Sequence, residues 1–234
     1  SNEFAELGIH IMDAVHLASA EEARVDYFCT CDDEFLKKAF HKLLIDYAWW
    51  ANRVDQTGDN VFEGGFLGLD NIGVFDRRYP LPDGSVIEQS DGTSWMATYA
   101  LSMLNISIEL AKEDPVYEDM ADKFLNDFIY LGAAVNAPCT DKFTLWDEEV
   151  GFYYDVLKRT NGSADYLKTR SVVGLTPLFA VESFDCDEVV RFPMLRKRVE
   201  WFQTHRPDLL DQLQHIGVEC DGKRLISLVP PERL

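Results

Sequence analysis

The stretch Asp33-Glu34-Phe35-Leu36-Lys37-Lys38-Ala39-Phe40-His41-Lys42-Leu43-Leu44-Ile45-Asp46-Tyr47-Ala48-Trp49-Trp50-Ala51-Asn52-Arg53 contains neither glycine nor proline. Its apolar residues Phe35, Leu36, Phe40, Leu43, Leu44, Tyr47 and Trp50 recur at helical spacing, so it reads as one long helix, with Asp32 or Asp33 placed to cap its start. Further helices are expected downstream at about 94–112, 115–135, 170–181, 187–204 and 207–214, with a strand at 223–229. Upstream, Ile11, Val15, Leu17 and Ala18 lie along a helical stripe, and the β-branched and aromatic run 25–31 reads as a buried strand. Between Gln56 and Gly92 the chain is rich in Gly, Asp, Asn and Pro, which predicts a long connection with little regular structure. Residues 145–157 alternate aromatic and acidic side chains around Gly151, as in a hairpin or an irregular loop. The expected class is mainly α, with helical hairpins joined by long loops.

Composition narrows the function. Of 234 residues, 47% are apolar and 12% aromatic, a mixture that suits a packed domain. Against 22 Lys and Arg stand 41 Asp and Glu, for a net charge of −19. Such a balance disfavours nucleic acid, whose phosphates require basic residues, and equally an anionic membrane surface. No apolar run approaches the roughly 20 residues of a membrane helix, and the first residues lack the basic and apolar regions of a signal peptide, so the expected compartment is the cytoplasm. The five cysteines (29, 31, 139, 186 and 220) form neither a disulfide framework nor a C-x-x-C pair and read as small buried hydrophobes. The five histidines show no H-x-x-x-H spacing, so zinc is not implied, and nothing points to a bound cofactor.

Three clusters carry chemistry-bearing side chains. In Glu63-Gly64-Gly65-Phe66-Leu67-Gly68-Leu69-Asp70-Asn71-Ile72-Gly73-Val74-Phe75-Asp76-Arg77, glycines let the backbone approach a ligand, and Asp70 stands among apolar neighbours. Desolvation there would raise its pKa and keep it protonated, as a general acid requires; the other reading is a loop aspartate that caps a turn. In Trp146-Asp147-Glu148-Glu149-Val150-Gly151-Phe152-Tyr153-Tyr154-Asp155, rings beside carboxylates suit sugar binding, or equally a hairpin with one solvated face. In Glu88-Gln89-Ser90-Asp91-Gly92-Thr93-Ser94-Trp95, a polar loop leads into a helix, and Asp91 or Thr93 could be its N-cap.

Taken together and in order, Trp49-Trp50-Ala51-Asn52-Arg53, the 63–77 run, the 88–97 run, the 114–121 run, the 146–157 run and the 171–180 run make residues 42–234 resemble part of the catalytic domain of glycoside hydrolase family 63 and its mannosylglycerate hydrolase-like relatives. The resemblance implies a partial (α/α)6 toroid, with a sugar pocket formed by loops at one end of the helical ring. It also implies inverting hydrolysis of an α-glucosidic or α-mannosidic bond, with the general acid on Asp70. An inverting pair holds its carboxylates about 6.5–9.5 Å apart around a water. The family's base, usually a Glu, falls beyond the matched region. By chemistry and loop position, Asp91, Trp95, Trp146, Asp147, Tyr154 and Asp155 are the expected substrate-binding residues, and Glu63 could also reach the site.

Residues 5–40 are different. Ile11-Met12-Asp13-Ala14-Val15-His16-Leu17-Ala18 followed by 25–33 is similar to the C-terminal third of a PIN-domain ribonuclease, which implies metal-ligand roles for Asp13 and Asp32. Two acids are too few for that metal cluster, so nuclease activity is the least favoured reading. The expected division is therefore 1–40, PIN-like, and 41–234, partial glycosidase. A non-enzymatic alternative is a helical fragment that binds sugar weakly or self-associates through helix faces that an incomplete ring leaves uncovered.

Overall fold

A computed structural model describes residues 33–52, 75–77, 79–136, 144–185, 191–211, 218–220 and 222–234. The predicted helix and strand at 11–31, the PIN-like acids Asp13 and Asp32, and both Glu63 and Asp70 lie outside them. The described chain is mainly helical, with small antiparallel sheets.

Helix α1 (Asp33–Ala51) matches the opening stretch. Its buried residues Phe40 and Tyr47 face the core, and the Tyr47 hydroxyl donates to Asp127 Oδ2 at 2.8 Å. Two longer helices form the centre: α2 (Ser90–Ala111) and α3 (Tyr117–Asn136), joined by residues 112–116. So short a joint makes them neighbours in a helical hairpin. Ala97, Ala100, Met103, Leu104 and Ile108 of α2 and Ala121, Phe124, Phe128 and Ile129 of α3 are all buried in one core. Small residues let the helix axes approach while Phe and Met fill the gaps.

Helix α2 is also rich in hydroxyls, which bond locally. Thr93, Ser94, Thr98, Ser102 and Ser107 each donate to the carbonyl four residues back, at 2.6–3.0 Å. Each hydroxyl is thus satisfied inside the helix, so polar residues can sit on a buried face. Helix α4 (Pro193–His205) packs on α3, where Arg198 Nε donates to Asp122 Oδ1 at 2.8 Å, and the short α5 (Pro207–Asp211) follows it.

Among the described residues, three small sheets accompany this hairpin. Strand β1 (Val86–Glu88) pairs with β4 (Asp155–Lys158), which pairs with β5 (Ala164–Leu167), all antiparallel. Strands β2 (Trp146–Asp147) and β3 (Phe152–Tyr153) make a hairpin, turned by Gly151 at φ 65°. In the third sheet, β8 (Lys223–Ser227) lies between β6 (Val181–Asp185) and β7 (Val218–Cys220).

Two expectations need correction. The long connection 56–92 is not structureless at its end: β1 occupies 86–88, and α2 begins at Ser90 rather than near Ser94. Its buried first turn, Ser90-Asp91-Gly92-Thr93, has the composition of a loop. The helix expected at 170–181 is a 3₁₀ segment, Val172–Phe179, which ends in strand β6 at Val181. Val172, Val173, Gly174, Thr176 and Pro177 are poor α-helix formers, and Pro177 lacks an amide hydrogen. Among the described residues, no helix is long and apolar enough to cross a membrane.

Candidate functional site

Strand β1 runs straight into α2, so the first-turn amides of α2 lie beside the sheet β1–β4–β5. Such amides have no partner within the helix. Asp155, the first residue of β4, reaches across and accepts the Ser90 amide on Oδ1 at 2.9 Å. A guanidinium then joins two carboxylates. Arg77 grips Asp91 with both ends, Nη1 to Oδ1 at 2.7 Å and Nη2 to Oδ2 at 2.8 Å, while Nη1 also donates to Asp155 Oδ2 at 3.3 Å. The Gly92 amide adds a bond to Asp91 Oδ1 at 2.8 Å.

All three members are buried, at 5% exposure for Arg77, 0% for Asp91 and 9% for Asp155. One positive and two negative groups leave a formal charge of −1 inside the protein. The Asp155 carboxyl accommodates this: burial first, then the charge of Asp91, push it up to about 6 against the lowering effects of Arg77 and the Ser90 amide. Nearby, Lys158 donates to Glu88 Oε1 at 3.1 Å.

The polar run around this cluster is incompletely bonded. Both amide atoms of Gln89, the Ser90 hydroxyl and Glu88 Oε2 are buried without a hydrogen-bond partner. Most buried polar side chains in native proteins find one. A cavity of about 40 Å³ lies beside this run, its lining including Arg77, Tyr79, Leu81, Val86, Ile87 and, of the partnerless residues, Gln89 alone. Among the described residues, no group of three or more His, Cys, Asp and Glu side chains is arranged to hold a metal ion.

The expected substrate-binding residues divide. Asp91 and Asp155 come together at Arg77. Trp95 follows Asp91 by one turn of α2, half-buried, its ring 5.5 Å from that of Phe179. Tyr154 is a core residue whose hydroxyl accepts from Arg170 Nε at 3.2 Å. Trp146 is buried in the β2–β3 hairpin against the Tyr153 ring at 4.8 Å, beneath the Arg233 guanidinium at 5.1 Å. Asp147 holds the hairpin turn, accepting the amides of Glu149 and Val150 at 3.0 and 3.2 Å on Oδ1, with Lys168 at 2.8 Å from Oδ2. Burial works to raise its carboxyl, but the bond to Lys168, those two amides and the lysine's charge outweigh it and hold Asp147 below the usual range. Of the two readings of the 146–155 run, Asp147 follows the hairpin one. Sequence reasoning gave no role to Arg77 or Gln89, although both stand in the quoted runs. A pair of adjacent arginines, Arg77-Arg78, closing an apolar stretch in so acidic a chain is the one signal that pointed there.

No family model matches the chain. Over 216 residues it is 45% identical to the uncharacterized protein YMR196W of Saccharomyces cerevisiae, a match that covers 87% of this chain and 20% of the yeast protein. The chain thus spans about one fifth of the length of the curated relative to which it is similar.

Proposed function

We propose that residues 41–234 form part of an α-glycoside hydrolase domain of the family 63 type. In this reading the helical hairpins belong to an (α/α)6 ring, and the N-terminal end of α2 borders its sugar pocket. The observation that carries most weight is the buried polar run 88–91 and its partners, where Asp91 and Asp155 share the Arg77 guanidinium beside partnerless amide and hydroxyl groups. A structural core has little use for such groups, whereas a polyhydroxylated ligand supplies donors and acceptors to match them. Asp70 would protonate the glycosidic oxygen, and the base that activates water would come from another segment or another chain. The test is hydrolysis of a panel of α-glucosides and α-mannosides by the wild-type chain and by Asp70→Asn. Turnover by the wild type that vanishes in the variant supports the reading and requires that a base be supplied within the chain or by a partner chain. No turnover from folded wild-type chain overturns the claim for these residues.

A second reading, self-association, draws on a different observation. Val172, Leu175, Leu178 and Val181 recur every third residue at and just beyond the 3₁₀ segment, and each is 41–46% exposed. With three residues per turn, such side chains eclipse one another and make a single apolar stripe. In this reading the stripe is where chains meet.

A further inference from the structure

The structure assigns Asn161, in the turn between β4 and β5, as a site of spontaneous deamidation, in which the Gly162 amide closes on the asparagine side chain and two donors of Ser163 assist. The inference does not depend on the glycosidase reading.

Of the asparagines in the chain, Asn161 alone precedes a glycine; the others precede Glu, Arg, Val, Ile, Asp or Ala. A glycine has no Cβ to screen its nitrogen, so that nitrogen can approach the side-chain carbonyl carbon of the residue before it. Asn161, Gly162 and Ser163 are all exposed, and a Cβ built on Gly162, whose φ is 82°, would meet nothing within 4 Å. Water and base therefore have free access to the turn.

The geometry of the side-chain amide favours attack. Ser163 donates twice to Asn161 Oδ1, from its backbone N–H at 2.9 Å and from its hydroxyl at 2.8 Å. A backbone N–H can only donate, which fixes the orientation of the amide. Both donors face the oxygen on which negative charge develops. The leaving nitrogen, Nδ2, has no partner among the described residues. One bond opposes the step: Gly162 N–H donates to the Arg159 carbonyl at 2.9 Å. It is a single exposed bond at a loop tip, of the kind that opens locally without unfolding, and its opening gates the reaction.

The Gly162 amide gives its proton to solvent base, its nitrogen bonds to Asn161 Cγ, and the carbonyl electron pair moves onto Oδ1. The pair returns, the Cγ–Nδ2 bond breaks, and the nitrogen takes a proton from solvent and leaves as ammonia. A five-membered succinimide ring remains. Water adds to either of its carbonyls and reopens it, as aspartate or as isoaspartate, so the sum is one water in and one ammonia out. Each event adds a negative charge to a chain of −19. Isoaspartate also lengthens the main chain by one carbon, in a turn joining strands paired from Asp155↔Leu167 to Lys158↔Ala164. The first residue of that hairpin, Asp155, is the one that holds the Ser90 amide.

The 234-residue chain would be kept for weeks in mildly alkaline buffer at body temperature, folded and, in parallel, in urea. Peptide mapping by mass spectrometry would then separate asparaginyl, aspartyl and isoaspartyl forms. Conversion at Asn161 in the folded chain is expected, in both product forms and faster at higher pH, with the other asparagines lagging behind. Gly162→Ala should slow it by at least about tenfold, and Ser163→Ala by about threefold, the loss of one exposed hydrogen bond. Asn161→Gln, which must close a six-membered ring, should stay unconverted and serves as the control if a turn variant fails to fold in a thermal melt. Conversion in urea with none in the folded chain overturns the assignment, because the turn bond then holds the amide shut. Equal rates in wild type and folded Gly162→Ala do the same. A faster rate in Ser163→Ala overturns the part given to Ser163.

Discussion

At Asp155, burial and the neighbouring charge of Asp91 outweigh a guanidinium and a helix amide, and the carboxyl rises to about 6. Its unfolded value is near 3.8. A carboxyl raised on folding favours the folded state only while protonated. Its contribution is complete below the unfolded value and is lost as pH rises through about 6, a swing on the order of 3 kcal/mol. Asp147 acts in the opposite sense: held low, it supports the fold above its unfolded value and fails only in stronger acid. The melting temperature of the wild type should therefore fall between about pH 4 and pH 6, and Asp155→Asn should flatten that slope. Equal slopes in thermal melts of the two proteins would show that this carboxyl does not titrate there. Asp91 and Asp155 are both legible in the sequence as acids among aromatic and polar neighbours. Their union is not, because Arg77 precedes Asp91 by 14 residues and Asp155 by 78, and no local period connects such positions.

Among the elements, legibility follows periodicity. The helices α1 and α3 stand within about two residues of their expected limits, since each keeps an apolar stripe along its length. The start of α2 is hidden because its first turn is buried and polar at once, a combination that only tertiary partners such as Asp155 make stable. The segment 172–179 deceives in the opposite direction. Its apolar residues look helical, yet Gly174 is pressed against the Phe152 ring and the Tyr153 carbonyl so closely that a Cβ there would overlap both. One of those neighbours is backbone and cannot rotate away. Gly174→Ala should cost at least about 2 kcal/mol in urea denaturation, toward the upper part of the range for overpacked sites. Gly162, with open space around it and φ of 82°, is the control: Gly162→Ala meets only the strain of its turn. Equal losses in the two variants would mean that 3₁₀ packing against β3 is not what fixes Gly174.

For the molecule as a whole, a net charge of −19 opposes an exposed apolar stripe. Like charges keep chains apart at low ionic strength, and salt screens them over about 10 Å at 0.1 M. Self-association should accordingly grow with both protein and salt concentration. In sedimentation velocity, Leu175→Glu with Leu178→Glu should return the protein to monomer. A wild-type chain that stays monomeric in high salt would remove the second reading.

The strand order has a bearing on biosynthesis as well. Lys158 follows Glu88 by 70 residues, yet β1 has β4 as its partner in the sheet. A ribosome adds roughly 5–20 residues per second, so β1 waits on the order of 4–14 s for that partner. Helix α3 emerges within that interval and can close on α2, while Arg77 holds Asp91 and the Ser90 amide still lacks its acceptor. The nascent chain therefore passes through a stage in which the helical hairpin is complete and the polar end of α2 is open to water, and the last step of the site's assembly is the arrival of a single carboxylate.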